Sequence, residues 1–143
     1  MKLSTRSRYG TKLMVDLAQH YDKSPVRIND IAKRQDVSVK YLEQLIIPLK
    51  KANFIKSVRG PKGGHLLSKP PEEITMGDIV RILESDVNLV PCLKDPEECV
   101  NTPACLTRNV WKMASAALFK TLDSMTLDRV IKLGTEPTVR PDK

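Results

Sequence analysis

The sequence predicts a mainly α-helical protein with one small β-hairpin. Three observations lead there. Apolar residues return at the three- and four-residue intervals of a helix face through most of the chain. The exception lies near the middle, where two short β-prone runs flank the turn-rich stretch Gly60-Pro61-Lys62-Gly63-Gly64. At 143 residues the chain is long enough for one domain with a real core, and short for two.

Each element can be justified in order. Tyr9, Leu13, Leu17 and Tyr21, with Met14 and Ala18 beside them, mark a helix over about residues 4–21, capped by Ser4 or Thr5. Asp22-Lys23-Ser24-Pro25 closes it. Ile28, Ile31 and Ala32 mark a short second helix ending near Gln35. Asp36-Val37-Ser38 is a turn, and Ser38 is a good N-cap for a third helix with Leu42, Leu45, Ile46 and Leu49 on its buried face. Phe54 to Arg59 reads as a strand, Gly60 to Gly64 as a loop, and His65 to Ser68 as the returning strand. Pro70-Pro71 breaks the chain. Thr75 with Asp78 makes a capping-box pair, opening a helix through Ile79, Val80, Ile82 and Leu83. Pro91, Pro96 and Pro103 keep the next stretch irregular. Trp111, Ala114, Leu118, Thr121, Leu122 and Met125 place a long helix over about residues 108–124, and Thr126, Leu127, Val130 and Ile131 a short last one. From Thr135 onward, two prolines and mixed charge predict a frayed tail.

Two short helices joined by a tight turn form a helix-turn-helix, and a basic-tipped hairpin directly after it makes a winged helix. The parts suit duplex DNA. A recognition helix fits the major groove and presents polar side chains to base edges. A Gly-rich tip lets backbone approach closely, with Arg59 and Lys62 supplying positive charge for phosphates. On the third helix, Gln44 is an amide suited to adenine. Tyr41 suits a thymine methyl or a phosphate, and Glu43 accepts from cytosine and otherwise repels. His65, beside the loop, reads as a wing contact or a strand residue.

The charge agrees without deciding. Residues 1–70 hold 15 Lys+Arg against 5 Asp+Glu, whereas residues 71–143 hold 9 against 12. A basic half fits a polyanionic partner or an ordinary solvated surface. Other classes are excluded on residue grounds. Gly60–Gly64 lacks the spacing and the Lys-Ser/Thr of a P-loop, and no dinucleotide fingerprint is present. The only histidines are His20 and His65, with no acid–base pair or nucleophile grouping, so an enzyme is not expected. No apolar run approaches the roughly 20 residues that span a bilayer. The basic start has no apolar stretch behind it to make a secretory signal. A reducing cytoplasm is therefore expected, where structural disulfides are rare.

All three cysteines, Cys92, Cys99 and Cys105, fall within fourteen residues, and three cannot close a disulfide set. Thiolates on a proline-broken loop can converge without disturbing a helix, and soft sulfur suits iron–sulfur clusters or zinc. Gaps of six and five residues are looser than the paired cysteines of structural zinc. Three free cysteines in a mobile loop is the competing reading. The long helix that follows carries Ala114, Ala116 and Ala117, small enough for close approach. It reads as core or as a dimer seam. The seam is preferred because pairing two DNA modules gives half-site recognition.

Several of these motifs carry a resemblance. Tyr41-Leu-Glu-Gln-Leu45, Ser57-Val-Arg-Gly-Pro-Lys-Gly-Gly-His-Leu-Leu67, the three cysteines and Cys105-Leu-Thr-Arg-Asn-Val-Trp111 resemble the Rrf family of bacterial winged-helix regulators, the IscR/NsrR/CymR type. The likeness runs from the first residues to about Leu133. The iron–sulfur cluster regulators are its most similar branch. The resemblance implies a homodimeric transcription factor with an iron–sulfur cluster, 2Fe–2S in preference to 4Fe–4S, on Cys92, Cys99 and Cys105. It implies that Ser38, Lys40, Tyr41, Glu43 and Gln44 face the major groove, with Arg59 and its wing near the minor groove. In that branch the position matching Glu43 tunes which sites are accepted. Two departures stand out. The family's first cysteine gap has five residues, and a histidine ligand occupies the position of Arg108. A guanidinium has no free lone pair to give a metal. In the nitric-oxide-sensing relatives an acidic residue serves instead, where this chain has Arg8. The expected organisation is one domain over 1–134, with a DNA-binding part at about 1–70, a cluster loop at 91–106, a dimerisation helix at about 108–124, and a flexible tail at 135–143. A cluster-free regulator answering to thiol oxidation, zinc or a partner protein is the alternative. An enzyme built on a three-cysteine metal site would lack a paired acid and base.

Overall fold

The computed structural model describes residues 2–135. Three helices, a hairpin and three further helices follow in order. Helix α1 spans Thr5–Gln19, α2 Ile28–Gln35 and α3 Val39–Lys51. Strands β1 and β2 are Ile55–Val58 and Gly64–Leu67. Helix α4 spans Met76–Leu83, α5 Arg108–Ser124 and α6 Leu127–Thr135. This is the winged helix expected from the sequence.

The caps explain the helix starts. Ser4 Oγ accepts from the Ser7 N–H at 3.2 Å, and Ser38 Oγ from the Tyr41 N–H at 3.1 Å. Thr75 and Asp78 close both bonds of the capping box, at 3.0 and 3.1 Å. Helix α1 stops at Gln19, short of Tyr21, because the chain enters single turns and Asp22 takes a left-handed φ of 63°. Asp36, φ 53°, does the same between α2 and α3. Short polar side chains tolerate that conformation, and it makes the sharp turn of the helix-turn-helix.

Pro48 sits inside α3. An interior proline costs about 3 kcal/mol in an isolated helix. Burial offsets that here, since Leu42, Leu45 and Leu49 are at most 1% exposed. They meet Leu13, Leu17, Ile31, Ile79 and Leu83 in one core.

In the wing, Ile55 pairs with Leu67 and Val58 with Gly64 in antiparallel register. Gly64 therefore belongs to the returning strand, not the loop. The reason is Val26, which exchanges two backbone bonds with His65, at 2.8 and 3.0 Å, as a third strand segment. Any Cβ on Gly64, whose φ is 155°, would overlap the Val26 backbone.

Helix α5 contains no buried residue. Arg81 on α4 holds it through both oxygens of Asp123, at 2.6 and 2.8 Å, and lies 4.4 Å above the Phe119 ring. Gly77 permits this approach, because a Cβ there would overlap the Asp123 carboxylate. Two backbone bonds, Met76 N–H to Met125 and Leu127 N–H to Ile74, pin its far end. Thr135 closes α6 instead of beginning a tail; the expectation of a flexible 136–143 lies outside the described residues.

One charged group lies deep. Asp16 on α1 is 5% exposed and takes a bidentate pair from Arg34 on α2, at 2.7 and 2.9 Å. Removing one partner of a buried pair leaves an uncompensated charge. Arg34 is half exposed, so its stranding costs less than full burial would. Asp16→Ala should lower unfolding free energy by about 2–3 kcal/mol, read from urea denaturation; a loss below about 0.5 kcal/mol would make the pair no stronger than a surface one.

Candidate nucleic-acid interface and cysteine loop

The core side of α3 dictates its other face. With Leu42, Leu45, Ile46 and Leu49 turned inward, Ser38, Lys40, Glu43, Gln44 and Ile47 are left exposed. Four of these were anticipated. Ile47 was not; it is 67% exposed, an apolar side chain in the middle of a polar face. Tyr41 differs from its neighbours. It is half buried, packs edge-on to Tyr9 with ring centroids 5.9 Å apart, and its hydroxyl is enclosed without a partner. Much of Tyr41 thus fastens α3 to α1.

Arg59 and Lys62 stand exposed at the wing tip. His65 sits at the wing base instead, half buried, with Nδ1 3.0 Å from Ser57 Oγ across the strand pair. Burial lowers its pKa below the ordinary value of 6.5. Lys50 lowers it further and Glu43 opposes, both from α3. The wing base and α3 therefore share one electrostatic neighbourhood. Arg27, just before α2, donates from Nη2 to the Pro61 carbonyl in the tip at 2.5 Å. An open cleft of about 400 Å³ lies between them, lined by Arg27, Asn29, Gly60, Pro61 and Gly64.

The cysteine stretch is a run of single 3₁₀ turns, Pro91–Leu93, Pro96–Glu98 and Thr102–Ala104, each with proline at its first or second position. Cys92 and Cys105 are half exposed, Cys99 is exposed, and none is in a disulfide. Cys105 lies just ahead of α5, its Sγ 3.4 Å from Thr107 Oγ1. That contact, with the Thr107 and Arg108 amides and the Arg108 charge, lowers its pKa. Arg108 donates to the Cys92 carbonyl at 3.3 Å, tying the loop's start to α5. In chemistry the donor set fits a soft metal centre: three accessible thiols on one loop. In position it is not assembled, since among the described residues no group of three or more His, Cys, Asp or Glu is placed to hold a metal ion.

Comparison with known proteins settles the family. The model of Rrf2, described as iron-dependent transcriptional regulator, matches residues 3–133. The chain belongs to the Rrf2 family. Protein rrf2 of Nitratidesulfovibrio vulgaris is 46% identical over 127 residues, 89% of this chain and 85% of that one. Two solved Rrf2-type structures superpose with TM-score 0.78. CymR, the global cysteine regulator of B. subtilis, is 36% identical, covering 93% of this chain and 98% of that one. T. potens IscR is 37% identical, covering 99% and 94%. Rrf2 proteins of this kind are transcriptional regulators, not enzymes. No helix among the described residues is long and apolar enough to cross a membrane.

For this Rrf2 protein, Ile47 and Arg27 escaped sequence reasoning for different reasons. Ile47 continues the apolar content of α3 and differs from core only in direction. The spacing of Gln44 and Ile47, three residues apart, was the available signal. Arg27 reaches a residue 34 positions away, and nothing local announces it.

The shift on His65 has a sign that can be measured. Its folded pKa lies below the unfolded value near 6.5, so the native state favours the neutral ring. The stabilisation is present above that value and is lost as pH falls through it toward the folded pKa. His65→Gln should flatten the pH dependence of unfolding free energy between about pH 7 and 5; an unaltered slope would assign the dependence to other groups.

Proposed function

We propose that the chain is a homodimeric, winged-helix regulator that binds duplex DNA in the cytoplasm and senses iron–sulfur or redox status through Cys92, Cys99 and Cys105. The observation that carries the DNA part is the exposed face of α3 beside a cationic wing. Gln44 can give and take hydrogen bonds at adenine, and Ile47 offers a thymine methyl an apolar surface. Lys40 and Ser38 stand at the helix start with short reach to phosphates. Tyr41 contributes its exposed edge alone. Glu43 accepts from the cytosine amino group and repels elsewhere, which narrows the sites accepted. Arg59 and Lys62 meet the backbone, with His65 holding the wing base.

What supports the dimer is α5. Its Val110, Trp111 and Met113 are 54%, 42% and 72% exposed, a run of large apolar groups that one chain leaves uncovered. A second copy offers the same surface in return and would cover it.

Cys92, Cys99 and Cys105 would hold the cluster as thiolates. When bound, an iron–sulfur cluster supplies a centre that responds to oxidants and iron supply. The chain's own part is to present the thiols, and the contacts lowering the Cys105 pKa favour the ligating form. Arg108 holds the loop by the Cys92 carbonyl and cannot ligate. A fourth ligand would come from Asp95, Glu97, Glu98, the second copy or a small molecule. One observation favours the alternative: the thiols are not gathered. In that reading the regulator is cluster-free, answering to thiol oxidation, zinc or a partner protein.

Iron and sulfide per chain, measured on protein made without air, separate the two. Each of Cys92→Ala, Cys99→Ala and Cys105→Ala should lose iron. Full iron in any one variant removes that cysteine from the ligand set, and an iron-free parent selects the cluster-free reading. On the DNA side, Gln44→Ala should cost about 1–3 kcal/mol at one base position while sparing random DNA. Equal losses on both would make Gln44 scaffolding.

A further inference from the structure

We infer that Arg27 is a positioning residue for DNA binding, holding the wing tip in place through the Pro61 carbonyl. The inference rests on the DNA-binding reading of the wing, and it begins from how little else supports the tip. Strands β1 and β2 are four residues each. A two-stranded hairpin of this size is marginal alone in water. Its base is secured, because Ile55 and Leu67 are buried and Val26 pairs with His65 as a third strand segment. That support ends at Gly64. Beyond it, from Arg59 to Gly63, every residue is exposed or half exposed. The tip's internal backbone bond runs from the Gly63 N–H to the Gly60 carbonyl at 2.9 Å. Two of its residues are glycine, and Gly60 has a φ of 107°, a region open to glycine and rarely to others.

Arg27 supplies what is missing. Its backbone neighbour Val26 is already fixed to the wing base, so the arginine starts from a rigid point. Its Nη2 reaches the Pro61 carbonyl at 2.5 Å, between Arg59 and Lys62. Pro61 has no N–H and a fixed φ, so its carbonyl direction is set once that bond forms. The guanidinium also brings positive charge beside the two tip cations. A free tip would lose conformational entropy each time Arg59 and Lys62 settled on phosphates, and a tip already held loses less. Arg27 thus acts through the wing, without itself needing to touch DNA.

The test is a double-mutant cycle on the full chain. Affinity for a duplex selected from random sequence by binding to the parent, and for an unselected random duplex, is measured across salt for the parent, Arg27→Ala, Lys62→Ala and the double variant. Arg27→Ala should weaken both complexes by about two- to tenfold, the range of one net hydrogen bond. Its melting temperature should stay close to the parent's, because the side chain is exposed. The diagnostic result is coupling: Lys62→Ala should lose part of its effect, and of its contribution to the salt slope, once Arg27 is absent. Independent losses, with the Lys62 effect intact, would overturn the inference and make Arg27 a direct phosphate contact. Unchanged affinity in Arg27→Ala would overturn it also. If Lys62→Ala alone alters neither affinity nor slope, the wing reading fails first and the inference falls with it.

Discussion

The apolar contact of α1 with everything around it is the constraint on which the rest depends. Leu13, Met14 and Leu17 are between 0% and 1% exposed, and the helix that carries them touches α2, α3, α4, α6 and the returning strand of the wing. Burying one such side chain fully stabilises by about 1.5–3 kcal/mol. The orientation of α3 follows from that packing, since Leu42, Leu45 and Leu49 can be covered in only one rotation of the helix. The exposed row from Lys40 to Ile47 is what remains outside. Within that row Lys40, Glu43, Gln44 and Ile47 take no part in the buried core, whereas Tyr41 is packed against it.

Polar groups then refine what packing has placed. Asp16 and Arg34 join α1 to the first helix of the helix-turn-helix, and Arg81 and Asp123 join α4 to the long helix α5. Both are bidentate arginine–carboxylate pairs, so each fixes an angle as well as a distance. They differ in burial: Asp16 is enclosed, whereas both members of the α4–α5 pair are about 44% exposed or slightly less. The pair joining α1 to α2 is therefore the less screened of the two. Arg108, linking the cysteine loop to the other end of α5, is a single longer bond.

Much of this was legible in the sequence, and the limits have physical causes. The helices were visible because their apolar residues fall on one face, buried in all but α5, and the starts of three of them because Ser4, Ser38 and Thr75 bond within three residues of themselves. The second helix was read to its last residue. Strand ends were read less well, because Gly64 looks like a turn residue unless Val26 is known to lie against it. The same non-local pairing hid Arg27. Tyr41 looked like an outward polar residue because its hydroxyl says nothing about where Tyr9 lies. Asp16 and Arg34 lie eighteen positions apart, and nothing local announces their pairing. The three cysteines were plain as a group in the sequence, and their spacing did not disclose the 3₁₀ turns along the loop that carries them. Family membership was carried by motifs such as Ser57–Leu67 rather than by periodicity, which any winged helix would share.

Pro48 gives α3 an uneven mechanical character. With no N–H to offer, it leaves out the rung that would join it to the carbonyl of Gln44 one turn earlier. The helix stays continuous but has its weakest turn there. The part before it carries Lys40, Glu43 and Gln44 from a capped start; the part after it is riveted into the core by Leu49 and followed by the buried Phe54. Bending there has one backbone rung fewer to strain than elsewhere in the helix, so α3 is most compliant in that turn, directly beneath the residues that face outward.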